Sequence, residues 1–293
     1  MTKSRAVNAE RRKGNNDMRP TVLTFVRHYL PGYKAGGPIR SIANLVEALG
    51  DEFDFRIVTS DRDSIDTKPY PGLPAPSTWI PRGKAHVLYL PPSKRDFLSI
   101  AQILRTTPHN ALYLNSFFDP VFTTLPLLAR RLRVAPEKRC ILAPRGEFSA
   151  GALKLKAKKK AAFMALVRPI GLHNKVVWQA STESERTDIL CALKLSEIDV
   201  HVAMDIPLTE TAPSTKLETR STGDPIRLCF LSRISPMKNL DFAISVLAQT
   251  KCKVIFDIYG SINDNSYWIR CKNLMGNLPN NITCRYKGHD PAP

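Results

Sequence analysis

The sequence predicts an α/β protein made of two Rossmann-like, doubly wound domains in tandem. Three observations carry that expectation. Short apolar runs alternate with helix-period stretches along most of the chain. Residues 207–224 (PLTETAPSTKLETRSTGD) interrupt the alternation with the composition of a linker, after which it restarts. At 293 residues the chain is longer than one core usually serves.

Residues 1–19 carry six basic and two acidic residues with almost no apolar pattern, and read as a disordered, solvated basic arm. Order begins at Thr21–Val26, a buried strand. The loop RHYLPGYKAGGP leads to a helix over Ile39–Leu49 with Pro38 at its start, and Phe53–Thr59 is the next strand. That is a βαβ unit with an expected right-handed crossover. Asp61–Lys84, rich in proline, glycine and polar residues, reads as a loop. Strands follow at Val87–Leu90, Ala111–Leu114, Cys140–Ala143, Val176–Ala180 and Val200–Ala203. Helices are expected at Phe97–Arg105, Pro120–Arg131, Gly151–Val167 and Thr182–Ala192, the last with an acidic first turn that suits the helix dipole. After the linker come strand Ile226–Leu231, helix Pro236–Ala248, strand Lys253–Ile258, helix Ser266–Gly276 and strand Ile282–Tyr286. The expected domains are therefore 20–206 and 225–293.

A hydrophobic fraction of 43% and a charged fraction of 24% are ordinary for a soluble protein. No apolar run approaches the ~18 residues of a membrane span, and the N-terminus lacks the apolar core of a secretory signal. The six cysteines (140, 191, 229, 252, 271 and 284) form no CxxC pair, so a reduced, cytosolic protein without a zinc site is expected. The net charge of +17 favours anionic partners: nucleic acid, anionic lipid head groups or phosphorylated small molecules.

The richest segment is LCFLSRISPMK, Leu228–Lys238. An apolar strand runs into a polar loop, with Ser235 and Pro236 placed as N-cap and first helical residue. A helix N-terminus presents unpaired N–H groups and partial positive charge. With Arg233 and Lys238 beside it, that end suits a phosphate or diphosphate. Gly36-Gly37-Pro38 sits in the first βα loop, where ligands of open α/β sheets bind, although for those three residues alone a ligand-free turn is the better reading. Asp61-Arg62-Asp63 has the spacing of a metal-holding DxD pair, yet two carboxylates underfill an octahedral site and a solvated loop is the better reading. The lysine-rich stretch at 154–160 is either a solvated basic face or a contact for anionic lipid or a phosphorylated acceptor. Aromatic residues do not interleave with those lysines, which argues against single-strand nucleic acid. His28 lies in the first loop and could meet a ligand; His86, His109 and His201 border strands and read as structural.

Five segments in order, FVRHYLPGYKAGGPIRSIANLVEAL, APRGEFSAGALKLKAKKK, QASTESERTDI, FLSRISPMKNLDFAI and IYGSINDNSYWIRCKNLMGNLPNNITCRYKG, resemble the GT-B fold glycosyltransferases of family 4. The resemblance runs from about Thr21 to His289. It implies two Rossmann-like domains facing a cleft, and a retaining sugar transferase that takes a nucleotide-diphosphate sugar as substrate with no cofactor or bound metal. It places Arg233 and Lys238 on the donor diphosphate, and Gly36 and Gly37 on the same phosphates from the opposite domain. Arg145, Asn115 and Glu183 become acceptor or cleft contacts; the catalytic residues stay unassigned. Many relatives have histidine at Arg145, and arginine cannot serve as a base near neutrality. The family's late paired-glutamate motif has no counterpart, since no glutamate follows Lys238. The resemblance thus leads one to expect an incomplete second domain, a chain truncated at its C-terminus and an impaired transferase. The expected partners are a nucleotide-sugar donor, a glycan or lipid-linked acceptor and a peripheral contact with an anionic membrane at the inner face of the cell membrane, with no nucleic acid. The alternative is a non-catalytic degenerate relative that binds nucleotide or anionic surfaces.

Overall fold

The structure is a computed structural model that describes residues 19–64, 66–75, 78–194, 199–207 and 223–288. Residues 1–18 of the expected arm and 208–222 of the expected linker lie outside the described residues. The chain divides into two compact units, Met1–Glu210 and Thr211–Pro293.

Unit 1 is a mixed eight-stranded sheet. Its strands are β1 (Thr21–Phe25), β2 (Asp54–Ser60), β3 (Trp79–Arg82), β4 (Ala85–Leu90), β5 (Ala111–Asn115), β6 (Arg139–Ala143), β7 (Val176–Ala180) and β8 (Val200–Val202), in the spatial order β3-β4-β2-β1-β5-β6-β7-β8. Every pairing is parallel except β3 with β4. The helices are α1 (Gly37–Leu49), α2 (Phe97–Thr106), α3 (Leu125–Arg131), α4 (Ala150–Lys154), α5 (Ala157–Val167) and α6 (Glu183–Leu193). The strand order reverses at β1, which lies between β2 and β5, and that is the topological switch point where such sheets bind ligands.

The period-2 geometry of a strand sends neighbouring side chains to opposite faces, and both faces of this sheet are covered. Leu112 and Leu114 of β5 join a core with Leu88, Leu90, Ile100 and Trp178. Tyr113, between them, joins Ile57, Val87, Ile42 and Val46 on the other side. Strands buried on both faces read as near-continuous apolar runs, which is why they were visible in the sequence.

Four expectations need correction. The loop expected at Asp61–Lys84 contains β3, an antiparallel edge strand hidden by Pro81 and its glycine- and proline-rich flanks; proline is tolerated there because an edge strand leaves some N–H groups unpaired. The same segment is not solvated at its start, because Asp61 and Asp63 are buried. The basic helix expected over Gly151–Val167 is two helices, broken at Lys156, which takes the left-handed conformation (φ 56°). The helix expected at Pro120–Arg131 begins instead with a wide i→i+5 turn, Pro120–Thr124, capped by Asp119.

Beneath α5, the His173 ring stacks on Phe117 with centroids 4.7 Å apart, and burial pushes its pKa down to about 4. An unfolded histidine titrates near 6.5, so the unfolded chain takes up a proton that the folded one refuses. Stability is then fully present above about pH 7, falls as pH drops through 6.5, and levels off near pH 4. The full loss from this residue is on the order of 3 kcal/mol. Urea midpoints at pH 7 and pH 5 should converge in His173→Phe relative to the native chain; an unchanged gap would show that His173 is not the source.

Unit 2 contains β9 (Ile226–Leu231), α7 (Leu240–Leu247), β10 (Val254–Tyr259), α8 (Asn265–Gly276) and β11 (Ile282–Gly288), with the parallel sheet order β11-β10-β9. Leu240, Ile244, Trp268 and Cys271 pack on Val254, Phe256 and Ile258 of the central strand. Alternate residues of β10 (Ile255, Asp257, Tyr259) are only partly buried, and Leu231 at the end of β9 is 80% exposed. Cys140 in unit 1 and Cys271 in unit 2 are buried; Cys191, Cys229 and Cys252 are exposed, and all six thiols are free.

Candidate functional site

In unit 1 the C-terminal ends of β1, β5, β6, β7 and β8 bring together most of the expected residues. The loop after β1 ends at Gly36 (φ 81°, ψ −139°), which caps α1 with a backbone conformation that glycine adopts at little cost. Gly37 is different: a Cβ there would meet nothing within 4 Å, so nothing inside the protein requires a glycine. No side chain caps α1, and no acidic residue sits in its own first turn.

Asp63 holds this loop in place. Its carboxylate accepts N–H bonds from Tyr33 (2.7 Å), Lys34 (3.0 Å) and Ser64 (2.7 Å). Burial pushes its pKa up, but the three amides outweigh burial and hold it below the usual carboxylate range. Asp61 accepts from Arg62 Nε at 2.8 Å and from Arg95 Nη2 at 3.0 Å. Both carboxylates of the DxD-like pair are therefore engaged in fixing loops. At the switch point Arg27, after β1, donates to the buried Asp119, after β5, at 2.6 Å. Burial lowers the His28 pKa, and its buried Nδ1 has no hydrogen-bond partner among the described residues.

Arg145 follows β6 in the left-handed conformation (φ 57°), which turns its side chain into a polar network. Its Nε and Nη2 reach Asn115 Oδ1 at 3.2 and 3.0 Å, and Nη2 also donates to Tyr113 Oη at 2.8 Å. Nη1 is ion-paired with Asp205. Asp205 in turn accepts from Ser41 of α1 at 2.7 Å, and Tyr113 donates to Gln179 at 2.7 Å. The guanidinium is thus neutralised by a neighbour from the same unit, and any incoming anion would compete with Asp205. Asn115 is buried, and its Nδ2 has no hydrogen-bond partner among the described residues.

Glu183 stands apart from this network. It opens α6 with its side chain 78% exposed, and its ion pair is a loose one to Arg186 at 3.8 Å. Two other glutamates do the organising. Glu185 accepts from Gly146 N (2.6 Å), Ser181 N (2.7 Å) and Ser181 Oγ (2.6 Å), tying the β6 loop to the β7 loop. Glu147 accepts from Ser116 Oγ at 2.6 Å, from Phe118 N at 3.2 Å and from Phe117 N, tying the β6 loop to the β5 loop. Burial raises the Glu147 pKa against those donors. Thr182-x-x-Glu185 has the spacing of a capping box, and that was the one local signal for Glu185. Asp205 and Glu147 carried no local signal.

In unit 2, Arg233 and Lys238 are exposed on the connection after β9, and neither makes a side-chain hydrogen bond or ion pair among the described residues. Ile234 between them is fully buried and anchors the loop, with N–H bonded to Ser261 O at 2.8 Å. The helix expected over Pro236–Ala248 is corrected here. Pro236–Lys238 is a 3₁₀ turn, Ser235 makes no side-chain cap bond, and Asn239 (φ 52°) resets the backbone before α7 starts at Leu240. Asparagine tolerates the left-handed region better than most residues, so it can separate the two segments. The cations are held by a tight turn rather than by the N-terminus of α7 itself.

No protein-family model matches the sequence, and no curated protein matches it either. Solved structures do. HepE of Anabaena, determined with UDP and glucose, matches with a TM-score of 0.59 at 15% identity, over 93% of this chain and 70% of its own. A glycosyltransferase from Rickettsia africae matches at 0.54 and 12% identity, over 94% and 69%. The E. coli trehalose-6-phosphate protein bound with UDP-2-fluoro glucose matches at 0.52 and 11% identity, over 92% and 74%. The chain has the α/β fold of the GT-B glycosyltransferases. Among the described residues, no helix is long and apolar enough to cross a membrane.

Proposed function

We propose that this protein is a retaining glycosyltransferase of the family 4 type, which moves a sugar from a nucleotide-diphosphate donor to a glycan or lipid-linked acceptor in envelope polysaccharide synthesis. The observation that carries the reading is the fold match to HepE, a structure that holds UDP and glucose, over 93% of this chain. Breaking the anomeric C–O bond leaves negative charge on the diphosphate and an oxocarbenium-like sugar, so fixed cations stabilise the leaving group. Arg233 and Lys238 in unit 2, and Gly36 and Gly37 in unit 1, are the proposed donor-phosphate contacts. Arg145 and Asn115 are the proposed acceptor contacts. Glu183 keeps that assignment only at the exposed margin of the site. The donor is substrate, not cofactor, and no metal takes part: Asp61 and Asp63 already accept bonds from guanidinium and amide groups. The protein acts in the cytoplasm, with the lysines of α4 and α5 touching the inner face of the cell membrane.

Each charge-assisted bond to phosphate contributes about 1.5–3 kcal/mol. Arg233→Ala and Lys238→Ala should therefore each weaken UDP binding about 10- to 150-fold in isothermal titration. Unchanged affinity in both variants would sink the assignment. Donor binding without any sugar transfer is the outcome that the non-catalytic alternative expects.

A further inference from the structure

Unit 1 has a second chemical surface at the opposite edge of the sheet, where β6 and β7 begin. Two cavities lie there. One, of about 250 Å³, is lined by Arg130, Arg131, Arg133 and Lys175, with Glu137 its single carboxylate. The other, of about 500 Å³, is lined chiefly by apolar groups, among them Phe117, Met164, Val167, Leu172 and Trp178. Gly171, Leu172 and Asn174 belong to both linings, so the charged and the apolar cavity share a wall.

Arg130 and Arg131 end α3, where cations are favoured by the helix dipole, and that accounts for two of the four. It does not account for Arg133 or Lys175, which stand outside any helix. Glu137 is taken by Lys175 at 2.6 Å, and among the described residues none of the three arginines has a carboxylate within ion-pair distance. Arg131 spends its Nε on Ile170 O at 2.8 Å, which orients the guanidinium, and the buried Nε of Arg130 has no partner among the described residues. In the apolar cavity the buried Nε2 of His173 is likewise unpartnered. Next to the shared wall, Ile170 is 44% exposed and Leu166 of α5 is 67% exposed.

We propose that this pair of cavities is a binding site for a phosphomonoester-headed lipid of the phosphatidic acid class, with the phosphate among Arg130, Arg131 and Arg133 and an acyl chain in the apolar cavity beside Trp178. A dianionic phosphate matches several guanidinium groups better than a carboxylate does, because each can bond it through two N–H groups. A choline head group would bring its own cation against four others. The apolar volume lies within the range of small-molecule sites. The site does not rest on the transferase reading: the charged cavity lies where β6 and β7 begin, and although the apolar wall reaches Phe117, just past β5, neither cavity is lined by a proposed donor or acceptor contact.

Titration of the full chain with monomeric dihexanoyl phosphatidic acid, inorganic phosphate and dihexanoyl phosphatidylcholine separates the possibilities. Phosphatidic acid should bind at least tenfold more tightly than either of the others. The pair of changes Arg131→Gln and Arg133→Gln should lower that affinity tenfold or more. Ala165→Trp, on the exposed face of α5 and filling the apolar cavity, should lower it similarly while leaving inorganic phosphate unaffected. These positions are exposed, and an unshifted thermal transition confirms that each variant folds. Inorganic phosphate binding as tightly as phosphatidic acid would remove the acyl site. Equal affinity for phosphatidylcholine would remove the phosphate site, and equal binding by all the proteins would overturn the proposal.

Discussion

Gly260→Ala should remove most of the stability of unit 2. At φ 143° the position already lies where L side chains are strained, and a Cβ would stand 1.9 Å from the Ser232 carbonyl oxygen. That oxygen is backbone, on the loop that carries Arg233, so it can withdraw only by moving the loop. Strain of this kind together with the forced shift costs about 3–5 kcal/mol, against a total of about 5 kcal/mol for a unit of this size. Gly288→Ala is the control: its φ is 82°, but the space around it is open. It should cost about 1 kcal/mol. Calorimetry should show the unit 2 transition lost or lowered by tens of degrees in the first variant and by only a few in the second. Equal transitions would mean that the close approach of β9 and β10 loops is not what the glycine serves.

The second large effect is expected at Glu185. Its three partners are all donors, two amides and one hydroxyl. Glu185→Ala leaves part-buried donors without their acceptor, at about 1–3 kcal/mol each before water compensates, and about 3 kcal/mol in total. Glu185→Gln should recover little, because an amide offers one oxygen where the carboxylate offers two, and its NH₂ would face another donor. Hydrogen exchange gives the site-specific readout: the Gly146 amide should be protected in the native chain and exchange freely in both variants. A protected Gly146 in Glu185→Ala would show that the Arg145 loop is held by other means. Because Arg145 is the residue before Gly146, the same loss of order reaches the polar network around Arg145 and Asn115.

The contrast between these residues shows how far local sequence reached. The strands of unit 1 were legible because a sheet covered on both faces needs apolar residues at nearly every position, as in β4, where Leu88 and Leu90 face one core and Val87 and Tyr89 the other. β3 was not, since Pro81 and the neighbouring glycine mimic a loop and the antiparallel partner lies beyond a turn. Helix breaks at Lys156 and Asn239 come from single residues turning left-handed, which residue type permits for asparagine and scarcely announces for lysine. Asp61 and Asp63 look like surface carboxylates in sequence because their partners are distant: Arg95 and the amides of Tyr33 and Lys34. The candidate residues Arg145 and Asn115 were found, but Asp205, which pairs with Arg145 across 60 positions of chain, was not. Long-range polar pairing leaves no period to read.

The thiols supply a way to watch the two units separately. Cys140 in β6 and Cys271 in α8 are each completely buried, and each sits in a different core. A thiol inside a core reacts with an alkylating reagent only when that core opens, so its labelling rate is a clock for local unfolding. Cys229 and Cys252, exposed in the folded state, label at once and mark time zero. Pulsed labelling followed by peptide mass would thus give an opening free energy for each unit in the same tube, without an added probe. Under the expectations above, Gly260→Ala would quicken the Cys271 clock and leave that of Cys140 unchanged.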